Sequence, residues 1–378
     1  ILYVKRGVFM RLVPIESVRT GSYLGKTIYD NSGRILLKSG VLLTEGLIKK
    51  IKQLNIFSIY IEDNYSQSEI EDIIKPELRN KATSIIKDTF NNIEKLSNLK
   101  TLNSREKNKI IKEQEDYFNS INDIAEELLN NILDNKNLLV SLVDIKSMDM
   151  YTYQHCVNVA VISLVLGIGL QLPKSELIDL CTGALLHDIG KVFIPKDLIT
   201  KEGPLTYEEF LKIKEHPRLG YNYINKSPSI KSCIKVIALQ HHERIDGLGY
   251  PNALKGDAIN KLAKIVSIAD VYDALTSDRC YRRALCASDA LEYIMANVNK
   301  LFDFNIVQVF SKIIVPFPFG TIVKLSTGDI AVVQETQLNY PLRPVVKIVK
   351  SSDSKNEGKL LNLINELSVV INNVEYNI

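Results

Sequence analysis

His187-Asp188-Ile189-Gly190-Lys191 is the stretch on which the reading of this 378-residue chain turns. An adjacent His and Asp offer one imidazole nitrogen and two carboxylate oxygens at one spot. That carboxylate can bridge two divalent cations, while Lys191 reaches an anionic substrate. Five residues alone prove little, so the positions of the other histidines matter. The chain has five, His155, His187, His216, His241 and His242, all within one segment of under a hundred residues. Histidine used as surface filler would be scattered. Downstream come Glu243, then Asp246 to Pro251, which reads Asp-Gly-Leu-Gly-Tyr-Pro, and then Asp270 and Asp273.

The pattern around these residues is helical. Tyr153 to Leu170 is apolar enough for a buried helix and carries His155 near its start, and Leu177 to Asp188 has Leu180, Ala184 and Leu185 on one face before Gly190 ends it. Tyr207 to Glu215 leads to His216-Pro217, where the proline stops what precedes it, and Ile230 to His242 leads to the histidine pair. Lys264 to Thr276 places Asp270 and Asp273 on one helix face. The candidate ligands therefore sit mostly at helix ends.

Outside this region the pattern changes twice. Residues 10–65 read as a small α+β module: strands at 27–29 and 34–38 around the turn-rich Asp30-Asn31-Ser32-Gly33, a helix capped by Thr44, and a strand over 56–61. Residues 66–111 read as a helical linker, continuing into a helix that Ser104 could cap, and Pro76 argues against a sustained coiled coil. After Pro316, Thr321 to Leu325 and Ile330 to Gln334 form a hairpin, with further strands over 345–349 and 367–371, so residues 316–378 make a small β-rich domain. Neither flanking module carries a ligand signature.

Composition sets the outer bounds. Hydrophobic residues at 46% and charged residues at 24% describe an ordinary globular chain, and a net charge of +3 is too small for a nucleic-acid polymer as partner. Five cysteines without a C-x-x-C pair or a secretory leader favour reduced thiols in a cytoplasmic protein, used as core filler. The most apolar run, Val157 to Leu172, is broken by Asn158, Ser163 and two glycines and falls short of a membrane span. Residues 1–9 precede the patterned sequence and are left out of the fold reasoning.

The paired motifs closely resemble those of the HD-GYP family of HD phosphohydrolases, associated with hydrolysis of cyclic di-GMP. The HDxGK signature is met by residues 187–191, and HHExxxGxGYP by His241, His242, Glu243, Gly247, Gly249, Tyr250 and Pro251. The resemblance covers roughly residues 112–315 and implies a mainly α protein: an all-helical catalytic domain between the α+β module and the β domain. It further implies two divalent metal ions. One would take His155, His187, Asp188 and Asp270, and the other would share Asp188 as a bridge with His216, His241 and His242.

Each histidine taken alone is better explained as a hydrogen-bonded core residue. All five together would require independent coincidences. An imidazole and carboxylate set without thiolate suits iron or manganese. By the same resemblance Lys191 contacts the scissile phosphate, Tyr250, Arg279 and Arg282 contact substrate, and Glu243 and Asp273 orient ligating imidazoles. Some relatives carry a third metal on a Glu four residues before the first histidine, where this chain has Tyr151. The expectation is therefore a two-metal cyclic di-GMP phosphodiesterase, yielding the linear dinucleotide or GMP. The alternatives are another cyclic dinucleotide such as cyclic GMP-AMP, or a non-catalytic signalling module. A homodimer or a signalling-protein partner is left open.

Overall fold

Three separate hydrophobic cores divide the chain, one for each change of pattern. The computed structural model describes residues 10–29, 34–54, 56, 58–62, 73–97, 104–134, 151–201, 203–277, 284–337 and 339–376. The N-terminal module contains β1 (Met10–Pro14), β2 (Tyr23–Leu24), β3 (Ile28–Tyr29), β4 (Ile35–Leu37), α1 (Glu45–Gln53) and β5 (Ser58–Glu62). β5 lies between β1 and β2, antiparallel to both, and β3 pairs with β4. Ile59, Tyr60 and Ile61 are all buried, as a central strand covered on both faces requires. Thr44 caps α1 by accepting from the Leu47 amide at 3.3 Å. β1 and β2 escape the sequence reading because neither is marked by a turn signal, and the expected turn at 30–33 lies outside the described residues.

α2 (Pro76–Ser97) and α3 (Ser104–Asp134) follow. Pro76 opens α2 rather than interrupting it, at a position where the missing N–H has no helical partner to lose. The expected linker is also corrected. Ile74, Ile86, Phe90 and Ile93 are buried in the same core as the histidine-bearing helices, so α2 packs as part of that helical unit. The aliphatic stripe of α2 meets α3 and α4, and its charged face is left to solvent.

That core is built around α4 (Tyr151–Gly169), which packs against α2 and α5 (Lys174–Leu186). A 3-10 turn over Ile189–Phe193 leads to α6 (Lys196–Ile199), α7 (Tyr207–Ile213), α8 (His216–Ile224), α9 (Ser232–Gln240), α10 (Lys261–Thr276), α11 (Ala287–Ala296) and α12 (Phe304–Ile313). α10 and α12 close against α4 from other sides. By length and composition Thr152–Gly169 is apolar enough to cross a membrane, contrary to the sequence reading, but 72% of it is buried inside the protein as the central helix of this domain. Helix starts are marked by side-chain caps: Thr206 and Glu209 form a reciprocal box on α7, and Asn260 caps α10.

The C-terminal domain is a five-stranded antiparallel sheet. Its strands β6 (Ile322–Leu325), β7 (Ile330–Glu335), β8 (Val345–Lys350), β9 (Leu360–Asn362) and β10 (Ile371–Val374) lie in the order β10-β6-β7-β8-β9. The β6–β7 hairpin turns at Gly328, whose φ of +90° suits a residue without a Cβ. The strand expected over 367–371 lies later, at β10, because residues before it turn back on Asn362. Among the described residues Cys156, Cys181, Cys233 and Cys286 are free thiols, and burial pushes the Cys156 and Cys181 thiols up, consistent with filler.

Candidate metal centre

Three helix ends and two helix interiors converge on one point. His187 caps the C-terminus of α5 with Asp188 next to it, His216 is the first residue of α8, and His241 caps α9 with His242 following. His155 comes from the first turns of α4, and Asp270 and Asp273 from α10. The five imidazoles form a continuous cluster, with ring centres 5.3 Å apart for His155 and His187, 5.0 Å for His187 and His241, and 4.1 Å for His241 and His242. His216 closes the cluster at 5.0 Å from His242.

The tautomers are set by the backbone. His187, His216 and His241 each direct Nδ1 at the carbonyl three residues earlier, of Ala184, Ile213 and Ala238, at 2.6, 2.7 and 2.9 Å. A carbonyl only accepts, so each ring carries its proton on Nδ1 and turns the Nε2 lone pair inward. His155 lies between two carboxylates instead, with Nδ1 2.7 Å from Asp273 Oδ2 and Nε2 3.1 Å from Asp270 Oδ1. His242 stacks on Tyr250 at 4.7 Å and 28°.

Asp188 sits in the middle, 1% exposed, with its two oxygens facing different histidines. Oδ2 is 3.4 Å from His187 Nε2 and 3.8 Å from His155 Nε2, whereas Oδ1 is 3.4 Å from His216 Nε2. Asp270 also spans the site, with Oδ1 3.1 Å from His155 Nε2 and Oδ2 3.8 Å from His242 Nδ1. Three groups place one donor atom each within 4.8 Å of one another: His155, His187 and Asp188; His216, His241 and His242; and His187, His241 and Asp270. The first two follow the expected ligand sets. The third crosses between them, so Asp270 is shared more widely than the sequence implied.

The electrostatics suit a cation. Burial opposes charge on Asp188, but the Lys191 ammonium and His187 hold its carboxyl well below the usual range. Burial likewise opposes charge on Asp270, and hydrogen bonding to His155 overrides it. Burial pushes His216 down to about 3 and His242 to about 4, so both are neutral bases at pH 7. His155 is driven the other way, since Asp270 and Asp273 outweigh its burial. His187 Nε2 and Asp188 Oδ1 are fully buried without a hydrogen-bond partner. Such atoms cost about 1–3 kcal/mol each when left unpaired. Two anions, neutral inward-facing imidazoles and orphaned lone pairs fit divalent cations.

Around the cluster, Lys191 Nζ lies 2.5 Å from Asp188 Oδ2 and is 29% exposed, at the mouth of the site. Asp273 orients His155 as described. Glu243, expected to orient an imidazole, instead accepts from the backbone amides of Asn252 and Leu254 at 2.7 and 2.9 Å, and so holds the loop that carries Tyr250. The resemblance marks the residue type but not the direction in which its carboxylate points. Glu243→Gln leaves one loop amide facing an NH2 group, so stability should fall by about 1–3 kcal/mol while metal content stays unchanged. Equilibrium denaturation and metal analysis of the same preparation check both.

Arg279, Arg282 and the side chain of Tyr151 lie outside the described residues. The sequence reading missed Asn158 and Lys214. Asn158 joins Asp273, and its signal was a polar residue three positions after His155 in an otherwise apolar helix. Lys214 places its ammonium 4.9 Å over the Tyr250 ring, which nothing in the linear sequence marks.

Residues 127–306 match the model of the HD domain, and residues 322–376 that of the KOW domain associated with the HD domain. The cyclic di-GMP phosphodiesterase PA4108 of Pseudomonas aeruginosa is 37% identical over 233 residues, 62% of this chain and 56% of that protein. The 3'3'-cGAMP-specific phosphodiesterase 3 of Vibrio cholerae is 33% identical over 162 residues, 43% of this chain and 35% of that protein. The chain thus spans about half or less of these curated relatives. Among solved structures, Bd1817, an HDG"Y"P protein from Bdellovibrio bacteriovorus, aligns with a TM-score of 0.52 at 20% identity, covering 80% of this chain and 98% of that one. That likeness concerns the fold.

Proposed function

We propose, from the premise that residues 127–306 belong to the HD domain family and carry both HD-GYP signatures, that this protein is a metal-dependent cyclic di-GMP phosphodiesterase. The observation that carries the reading is Asp188, whose two oxygens face separate histidine groups while Oδ1 and His187 Nε2 lie buried without partners. His155, His187, Asp188 and Asp270 would hold one cation, and Asp188, His216, His241 and His242 a second, with iron or manganese matching the donor set. When bound, such a pair supplies a nucleophile from water at neutral pH and binds the phosphoryl oxygens.

The chain's own residues do the rest. Nδ1 hydrogen bonds keep the Nε2 lone pairs of His187, His216 and His241 aimed inward and fix the His155 ring with its Nε2 beside Asp270, which removes the reorganisation a flexible ligand set would need. Lys191 moves from Asp188 toward the phosphate as negative charge builds there. Tyr250, packed on His242 and held through Glu243, offers a ring against which a base can lie. In the reaction a P–O bond to water forms as the P–O bond to the ribose 3′ oxygen breaks. The reading extends to a cytoplasmic location, and to the linear dinucleotide or GMP as product.

The test is consumption of cyclic di-GMP by full-length protein loaded anaerobically with Fe(II) or Mn(II), with cyclic GMP-AMP in parallel. Turnover of cyclic di-GMP that chelation abolishes supports the proposal. Faster turnover of cyclic GMP-AMP moves the substrate to that dinucleotide, and retention without turnover makes the chain a binding module. Lys191→Met should lower kcat by about 10²–10³ at unchanged metal content, because it removes a charge needed chiefly in the transition state. Equal kcat for variant and wild type would remove Lys191 from the mechanism.

A further inference from the structure

A buried carboxylate needs donors for its oxygens, because water cannot supply them. Asp273, 2% exposed, uses Oδ2 for His155 Nδ1 at 2.7 Å and Oδ1 for the Asn158 amide nitrogen at 3.0 Å. Asn158 is 3% exposed and lies one turn along α4 from His155, and its own Oδ1 accepts from Arg79 Nη1 at 2.6 Å. An amide can be placed either way round, and a guanidinium can only donate. Arg79 therefore draws the Asn158 oxygen toward itself and leaves the NH2 group facing Asp273. Rotated by half a turn, the amide would set its oxygen against a carboxylate. Arg79 lies on α2, outside the residues that match the HD domain model, and no motif marks it.

We infer that Arg79 and Asn158 are positioning residues for the cation that His155 would hold. The guanidinium sets the amide, the amide sets the Asp273 carboxylate, and the carboxylate holds the His155 Nδ1–H, so that Nε2, 3.1 Å from Asp270 Oδ1, is the nitrogen turned toward the cation. This rests on reading the histidine cluster as a metal centre. It adds that the correct state of His155 depends on a helix remote in sequence from both signatures. A hydrogen bond that merely satisfied Asn158 would leave the metal indifferent to Arg79.

The experiment measures Mn(II) affinity by chelator competition on the full chain, together with the melting temperature of the metal-free protein. The variants are Arg79→Met, Arg79→Lys and Asn158→Leu. In Arg79→Met and Asn158→Leu one equivalent of Mn(II) should bind about tenfold or more weakly, the scale on which partners of ligating histidines act, with the other unchanged. Metal-free melting should move little, and Arg79→Lys, which keeps a cationic donor, should recover part of the loss. Unchanged affinity in both variants overturns the inference. So does an equal loss in both equivalents accompanied by lower metal-free melting, which marks a packing role. If one variant fails to fold, the other decides by the same readout. Wild-type protein that takes up no Mn(II) overturns the metal centre and this inference with it, a result distinct from wild type binding two equivalents and the variants binding them equally well.

Discussion

Asp188→Ala should lose metal and turnover together, with cyclic di-GMP hydrolysis falling by at least about 10³-fold because the transition-state charge is left without its cations. The argument is geometric. Oδ1 and Oδ2 face His216 on one side and His155 with His187 on the other, so one side chain links the two ligand groups. Asp270 also reaches both groups, through His155 and His242, but neither of its oxygens is near His216, so it does not restore the contact that Asp188 Oδ1 makes there. Metal analysis should show bound Mn(II) reduced well below wild type. In contrast, the fold should survive. In the metal-free protein Asp188 is a buried anion whose nearest cation is Lys191, and that ammonium is exposed enough to return to water. Metal-free Asp188→Ala should therefore melt close to metal-free wild type, while the wild type alone gains stability from added Mn(II). A variant that keeps full metal occupancy and activity would remove Asp188 as the bridge.

Much of this site can be read from the linear sequence because its ligands are rare residue types gathered in one segment. Histidine at five positions and nowhere else is a signal that survives without any structure. Helix existence was also legible, since the apolar runs of α5 and α10 are too long for a strand and leave few alternatives. What could not be read is what depends on which face meets which. The stripe of α2 looks like that of any amphipathic helix, and only its packing on α4 makes it part of the histidine-bearing core. Arg79 has no local feature that distinguishes it from other surface arginines until Asn158 is seen opposite it. Glu243 shows the reverse error: the family resemblance implied an imidazole as its partner, while its carboxylate points at the Asn252 and Leu254 amides. The α+β and β modules were legible as classes. Their short strands, such as β2 and β9, are defined by pairing partners rather than by their own residues.

Gly190→Ala should be the most damaging single-methyl addition in the domain. A Cβ built at Gly190 falls 1.9 Å from the His216 carbonyl oxygen and 2.6 Å from the Gly220 amide nitrogen. Both are backbone atoms, so no rotamer change relieves the overlap, and the 3-10 turn and α8 must part by about 1.5 Å to reach ordinary contact. That motion acts on the site directly. The turn follows Asp188, and α8 begins with His216, so separating them lengthens the 3.4 Å approach of His216 Nε2 to Asp188 Oδ1. A displacement near 1 Å at reacting groups costs on the order of 10²-fold in rate, and overpacking a core costs about 1–3 kcal/mol. Turnover should fall by at least that factor, with metal content dropping from two equivalents toward the one that His155, His187 and Asp188 can still hold. Gly183→Ala is the control. Its added Cβ meets the Ile237 side chain, at 2.3 Å from Cδ1, and a flexible methyl can move where a carbonyl cannot. That variant should lose stability yet keep most of its activity per bound metal. If Gly190→Ala instead retained both metals and wild-type turnover, the close approach of the turn to α8 would not be what holds His216 in place.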